Sequence, residues 1–416
     1  MDNWLVVGSG GREYAIAQCL AKSDNHHVYV APGNVMMNQI NGVSCIDIDE
    51  MNFKSLVTFA QDNDILCTVV GPEEPLSDGI VDYFQKSGLR IFGPNRYAAK
   101  LESSKAFAKQ IMQTANVPTA AYQEFHNIND ALSYVNGHSM PVVIKANGLA
   151  GGKGVIIAKN EYDAKNAIKE LFKLPHQNEI LIEDFLTGEE FSYMLMVNGE
   201  KIIPMPLAQD HKRLLNADKG PNTGGMGAYS PLPQFSSNIL KEATNTIIKP
   251  VLKEMNDSNH PFVGFLYAGL INTEDGIKVI EFNVRMGDPE AQVILPQLQS
   301  DLGNTIIKLL NNEKTITSWK KDKYYLGTVL AAKGYPKNPI DHLPIPVFNN
   351  KVQVIYAGIQ KDKDEIYSHG GRVLMVVNSS DNLKLAQSQI NLSLNTDLIN
   401  KNYLYRTDIG NKAIKN

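Results

Sequence analysis

The first hundred residues alternate between short apolar runs and helical periodicity, and this pattern constrains the fold more than any other feature. Runs at 4–7, 28–30, 65–70 and 89–92 have the length and composition of strands. Between them, Ala15, Ile16, Cys19 and Leu20, then Phe53, Leu56, Val57 and Ala60, then Ile80, Val81 and Phe84 recur at helical spacing. Each set makes one apolar helix face. Strand–helix alternation of this kind implies a parallel sheet with right-handed crossovers. In such sheets ligands bind beyond the carboxyl ends of the strands. Those ends are "GSGGRE", "APGN", "VGPEEP" and "FGPN", four loops rich in Gly and Pro that together predict a binding edge.

The rest of the chain reads differently. One helix is expected from Arg96 to about Thr114, ended by "VPTA". Apolar strands then come in hairpin-like pairs: 142–144 with 155–157, 180–183 with 191–197, and 267–271 with 278–284. The last pair is joined by "NTEDG", whose Asp-Gly is a strong turn signal. Antiparallel α+β structure is therefore expected. The last ninety residues return to short strands at 327–331, 352–357 and 372–377, with an amphipathic helix near 383–390. The fold class is α/β and α+β, in three blocks. These are a Rossmann-like parallel-sheet domain (1–104), a central domain (105–320) with a subdomain at about 118–190, and a small α+β domain (321–416).

Several loops carry possible chemistry. Gly8-Ser9-Gly10-Gly11-Arg12-Glu13 follows a strand and opens a helix, where backbone N–H groups and the helix dipole favour an anion. A dinucleotide fingerprint needs glycine where Glu13 sits and an acid where Ala31-Pro32 ends the second strand. Both mismatches argue against a nicotinamide oxidoreductase and leave a phosphate on a smaller ligand.

The stretch "KANGLAGGKG" (145–154) also fails as a P-loop, with Asn147 at the first glycine position and Gly154 where a hydroxyl is required. It joins strand to strand, and its four glycines and two lysines read as a mobile cover for an oligophosphate.

In "VIEFNVRMGDPE", strand alternation puts Glu281, Asn283 and Arg285 on one face and Phe282, Val284 and Met286 on the other. Carboxylate and amide oxygens suit Mg²⁺. Asp288 and Glu290 lie in the turn that follows. The segment "QDHKRLLNADKGPNTGGMGAYSP" has no clear period and is too long for a plain connection, so a functional loop is expected. His211 is the one histidine in a loop of interest.

Global properties exclude several classes. A net charge of −4 over 416 residues gives no general attraction to nucleic acid or anionic membrane, so any anion site must be local. Three scattered cysteines fit buried thiols in a reducing compartment. No apolar run reaches the ~20 residues of a membrane span, and no signal-like start is present. A soluble, cytoplasmic protein acting on small molecules is expected, with no nucleic acid or membrane partner.

Taken in order, "GGRE", "APGN", "VGPEEPL", "ESSKAFAK", "KANGLAGGKGV", "EDFLTGEEFSYM", "QDHKR", "GPNTGGMGAYSP", "GFLYAGL", "VIEFNVRMGDPE" and "GGRVL" resemble the phosphoribosylamine–glycine ligase family of ATP-grasp enzymes. The resemblance covers almost the whole chain. It implies a central ATP-grasp fold, with ATP between two antiparallel sheets. Lys105 and Lys145 would approach the phosphates, under the cover of Gly151, Gly152 and Lys153. Glu183 and the backbone through Phe185 and Leu186 would hold adenine, and Glu190 or Glu189 the ribose. Glu281 and Asn283 would carry Mg²⁺ or Mn²⁺.

The implied reaction joins glycine to 5-phosphoribosylamine in purine synthesis, with ATP giving ADP and phosphate through an acyl phosphate. Arg285 would grip the glycine carboxylate, and Asp210 or Glu290 the amino groups, beside Asp288 and Pro289. Gly8, Gly10 and Gly11 would take the ribose phosphate. A monomer or weak homodimer is the expected assembly. The chain departs from the family pattern at Ser9, Tyr14, Asn147 and Gly151, and Tyr267-Ala268-Gly269 offers no second acid for the metal. Another ATP-grasp ligase would share the nucleotide and metal residues. A non-enzymatic nucleotide-binding module would have no use for Arg285 or the Asp210 segment.

Overall fold

A computed structural model describes residues 1–149, 154–174, 177–363 and 365–414. The expected parallel sheet is present, with strands β1 (Asp2–Gly8), β2 (His26–Pro32), β3 (Val43–Cys45), β4 (Ile65–Val70) and β5 (Ile91–Phe92) in the order β3-β2-β1-β4-β5. The order reverses between β1 and β4, so their carboxyl ends flank a crevice. Helix α1 (Gly11–Leu20) is buried nearly all round. The sheet covers one side, and the segments Ala291–Ile294, Leu295–Gln297 and Gln353–Tyr356 pack on the other. Strand β3, the 3₁₀ turn Val35–Gln39 and the helix Glu73–Asp78 are too short to show periodicity in the sequence.

The helix expected from Arg96 to Thr114 is two helices, Lys100–Ser103 and Lys105–Thr114. Ser104 breaks the run with extended dihedrals (φ −139°, ψ 108°), and its hydroxyl accepts from the Phe107 N–H. A capping serine satisfies an otherwise orphaned donor and so starts the second helix.

Two four-stranded antiparallel sheets follow. One holds Tyr122–Phe125, Ile180–Asp184, Val142–Ala146 and Val155–Ala158; the other holds Lys201–Pro204, Glu189–Asn198, Val263–Thr273 and Gly276–Asn283. The expected pairing of 180–183 with 191–197 is therefore wrong, because these strands belong to different sheets. The short link between them turns at Gly188, where any Cβ would collide with the Asn272 carbonyl. The other two expected hairpins are present in register. The first sheet has its own apolar core around Val142, Ile144, Ile168 and Ile182, separate from the main core. Two separately packed sheets thus face each other across a cleft.

The segment read as aperiodic contains short strands at Gln209–Asp210, Arg213–Leu215, Lys219–Asn222 and Gly227–Ser230. Gln209–Asp210 and Gly227–Ser230 join Tyr324–Ala332, Arg372–Ser380 and Gln353–Tyr356 in one sheet, which therefore draws strands from both sides of residue 320. Two to four residues per strand leave too few positions for alternation to show. Among the described residues no helix is long and apolar enough to cross a membrane.

Candidate active site

A cavity of about 700 Å³ opens between the two antiparallel sheets and reaches the carboxyl edge of the parallel sheet. Lys105, Lys145, Glu183, Phe185, Leu186, Glu190, Asp210, Glu281, Asn283, Arg285, Asp288 and Glu290 all line it. Gly8, Gly10, Gly11 and Pro289 lie beside it rather than in its lining. Gly151, Gly152 and Lys153 lie outside the described residues. The flanking strands Val142–Ala146 and Val155–Ala158 do pair, so "KANGLAGGKG" joins strand to strand as expected.

On the first sheet, the buried Lys145 Nζ donates to Glu183 Oε2 (2.9 Å) and to the Ile280 carbonyl (3.1 Å) of the opposite sheet. Lys109 Nζ lies 3.1 Å from the same Glu183 oxygen. Glu183 Oε1 is buried and has no partner among the described residues. Lys105 opens its helix and donates to the Gly148 carbonyl (3.0 Å), just beyond the strand Val142–Ala146. Burial pulls the Lys105 ammonium below the usual lysine range, with Lys145 adding to the fall against the nearby carboxylates.

On the second sheet, Glu281, Asn283 and Arg285 alternate with the buried Phe282, Val284 and Met286, although the strand ends at Asn283. Burial opposes the charge on Glu281, yet Lys212, Lys145 and Lys105 hold its carboxyl below the usual range. Lys212 Nζ is 3.5 Å from Glu281 Oε1 and 3.8 Å from Glu190 Oε2. Burial pushes Asp210 up to about 7, with Glu290, Glu190 and Glu281 adding to the rise against Lys212. Glu290 accepts from Ser192 Oγ (2.9 Å), which also contacts the Tyr267 hydroxyl (3.0 Å).

Arg285 sits where the cavity meets the parallel-sheet domain. Its guanidinium lies 2.7 Å from Glu102 Oε1 and 3.2 Å from Glu73 Oε2. The second Glu102 oxygen accepts from the Val284 N–H (2.8 Å). The two carboxylates titrate far apart. Burial lifts Glu102 to about 7, whereas Arg285 and Arg12 overcome burial and hold Glu73 at about 2. Arg12 Nε contacts Glu13 Oε1 at 2.6 Å. Asp288 is held by Arg372 (3.0 Å) and Gln292 (2.6 Å).

The glycine loop after β1 holds an anion from within the chain. Glu13, the third residue of α1, accepts from the Gly10 N–H (2.7 Å) as half of a capping box. A Cβ at Gly8 would lie 2.6 Å from Glu13 Cγ, and one at Gly71 would overlap the Glu13 carboxylate.

A hard divalent cation fits Glu281 and Asn283. Both offer oxygen, Glu281 stays ionised, and Mg²⁺ needs few protein ligands when phosphate and water complete its shell. A tighter carboxylate–imidazole group among the described residues, Glu124, His126 and Glu179, lies elsewhere.

Sequence reasoning missed Arg12, Glu73, Glu102, Lys109, Lys212 and Arg372 as site residues, although each falls in a stretch already singled out. Lys109 had a visible signal, one helical turn after Lys105. The departures also find places. Tyr14 is buried against Tyr356, with ring centres 6.1 Å apart. Asn147 accepts from Ser104 Oγ and the Ala106 N–H, tying the end of the strand Val142–Ala146 to the Lys105 helix. His211 is buried and accepts from the Gly410 N–H, and burial pulls its imidazole down to about 3, so it is a neutral packing residue.

Three family models match the chain: the N domain of phosphoribosylglycinamide synthetase over residues 2–102, its ATP-grasp (A) domain over 103–291 and its C domain over 325–412. A phosphoribosylamine–glycine ligase of Halalkalibacterium halodurans is 46% identical, covering 99% of this chain and 97% of that one. The ligase of Lactococcus lactis is also 46% identical, covering 99% of each. The crystal structure of the ligase from Thermotoga maritima superposes with a TM-score of 0.83 at 27% identity, over 98% of this chain and all of that one. Biotin carboxylase from Campylobacter jejuni shares the fold at a TM-score of 0.72 and 15% identity, over 99% of this chain and 98% of that one. With the cavity between two antiparallel sheets and matches along nearly its full length, the chain belongs to the phosphoribosylglycinamide synthetase family of ATP-grasp enzymes.

Proposed function

We propose that the chain joins glycine to 5-phosphoribosylamine, converting ATP to ADP and phosphate in purine synthesis. The observation that carries this reading is Arg285. Its guanidinium lies in the same cavity as the phosphate-type lysines and the Glu281–Asn283 pair, and at the edge of the parallel-sheet domain. A carboxylate is a poor acyl donor until one oxygen becomes a leaving group. Transfer of the γ-phosphoryl group of ATP to glycine supplies that, and the amine then displaces phosphate from the acyl phosphate.

In this scheme Lys105 and Lys145 hold the phosphates and neutralise charge during transfer. Glu183 and the Phe185–Leu186 backbone hold the base, and Glu190 the ribose. Arg285 grips the glycine carboxylate bidentately, and Asp210 or Glu290 holds the amino groups near Asp288 and Pro289. The ribose phosphate lies toward Gly8, Gly10 and Gly11. There the free N–H groups of the first α1 turn and Arg12 supply the attraction, because Glu13 already occupies the Gly10 N–H. Mg²⁺ or Mn²⁺ on Glu281 and Asn283 supplies charge neutralisation to the phosphates. Acyl phosphates hydrolyse in water, so the reaction calls for a cover over the phosphates, the role proposed for Gly151, Gly152 and Lys153. The reading carries with it a cytoplasmic enzyme acting as a monomer or weak homodimer. The deciding experiment measures ADP release with each substrate omitted in turn. Release requires glycine, phosphoribosylamine and the divalent cation together; undiminished release without either organic substrate overturns the assignment.

A further inference from the structure

We infer that Lys109 is a positioning residue for nucleotide-base selection: it fixes the Glu183 carboxylate so that one oxygen faces the cavity as an acceptor for the exocyclic amine of a 6-aminopurine. This rests on the assignment of Glu183 to the base.

Lys109, Lys145 and Glu183 are each no more than 5% exposed, and both lysines approach one oxygen, Glu183 Oε2, at 3.1 and 2.9 Å. Oε1 is buried with no donor among the described residues. Two cations serving stability alone would be expected to spread over both oxygens, since a buried acceptor without a donor is costly. Here the unpaired oxygen belongs to a residue lining the cavity, where a bound ligand can supply the missing donor.

Lys109 is held firmly enough to set this orientation. Its other bonds go to Thr119 Oγ1 (2.9 Å) and the Ala120 carbonyl (3.3 Å), and the Tyr122 ring lies 5.0 Å away. Thr119 in turn donates to the Val279 carbonyl (2.8 Å), which ties the arrangement to the opposite sheet. With three acceptors, the Lys109 ammonium has no donor left for a ligand. Without Lys109, Glu183 is free to turn both oxygens to Lys145, which withdraws the acceptor from the base. A 6-amino group donates to Oε1, a purine with no 6-substituent leaves it unpaired, and a 6-oxo group repels it.

The test compares kcat and KM for ATP, purine riboside triphosphate and inosine triphosphate in the wild type, Lys109→Met, Lys109→Arg and Glu183→Ala. The wild type should prefer ATP over purine riboside triphosphate by about tenfold or more in kcat/KM, the size expected for a hydrogen bond to a buried charge. Lys109→Met should lose most of that preference through a higher KM for ATP, with a smaller change in kcat, and Lys109→Arg should restore part of it. A loss of fold would lower kcat for all nucleotides alike. If Lys109→Met does not fold, Lys109→Gln, which keeps a donor for Thr119, replaces it. Wild-type discrimination in the Lys109 variants overturns the inference. If Glu183→Ala also keeps discrimination, the assignment of Glu183 to the base fails too; if Glu183→Ala loses it, only the role of Lys109 fails.

Discussion

Replacing Arg285 by alanine probes the site and its buried charge balance together. The guanidinium is 2.7 Å from Glu102 and 3.2 Å from Glu73, and Glu102 and Arg285 are largely buried. Removing one partner of a buried ion pair costs about 3–5 kcal/mol. Glu73 keeps Arg12 at 3.9 Å, whereas Glu102 keeps the Val284 N–H, with Arg12 and Lys105 acting on it from further off. Glu102 has a way out, because its carboxyl already lies at about 7 and takes up a proton once Arg285 is gone. Proton uptake brings the expected loss toward about 3 kcal/mol near neutral pH.

The sign of the pH dependence follows. A carboxyl raised in the folded state favours folding in acid, and stability declines as pH rises from about 4.5 to 7. In the variant that decline extends above pH 7. For catalysis, loss of a preorganised grip on developing charge costs about 10²- to 10³-fold in kcat. Nucleotide binding survives, because Lys105, Lys145 and Glu183 are untouched. ADP release, nucleotide-dependent melting and melting at pH 6 and pH 8 are the assays. Turnover within about threefold of wild type would refute the grip on glycine, and an equal melting loss at both pH values would refute the protonation of Glu102.

Three further outcomes are expected. Asp210, at about 7 in the folded protein, favours folding below that pH and must ionise to hold an amino group, so kcat/KM should climb as pH rises through 7. Asp210→Asn should abolish that limb, and an unchanged pH profile would exclude the role. Glu281→Gln should raise the Mg²⁺ needed for half-maximal ADP release by about tenfold or more, and Asn283→Ala by less; a titration matching wild type would move the metal elsewhere. Gly264 has φ +122°, and an added Cβ would lie 2.8 Å from the Gly93 Cα, where the parallel-sheet domain meets the second sheet. Gly264→Ala should cost about 2 kcal/mol or more in thermal unfolding, and a loss under about 0.5 kcal/mol would show that the contact yields freely.

Most of the frame was legible because its signals are local. Strand 4–7 is an uninterrupted apolar run, 65–70 is broken only by Thr68, and the Asp275-Gly276 turn fixes its own hairpin. The alternation of Glu281, Asn283 and Arg285 was legible for the same reason. What failed were long-range choices. Nothing within 180–197 says that its two strands part into different sheets; the second pairs with 263–272 instead, which brings Gly188 against Asn272, eighty-four residues away. Likewise Glu73 and Glu102 look like ordinary helix-end acids until tertiary packing brings Arg285 between them. Lys212 was quoted in its motif and passed over, since only folding sets it among Asp210, Glu190 and Glu281.

The glycine turn after β1 has a consequence for how this chain tolerates change. At Gly71 the Glu13 side chain occupies the room a side chain would need; at Gly8 it does so together with Pro72, where the backbone (φ +121°) already favours glycine. Three positions spread over more than sixty residues are therefore bound into one inheritable unit. A methyl group at Gly71 should be ruinous beside glutamate yet far better tolerated when Glu13 is itself shortened to alanine, so the double variant should fall well short of the summed damage. Sequence drift at Gly71 can then proceed only by paired steps, with the helix residue giving way before that loop can grow.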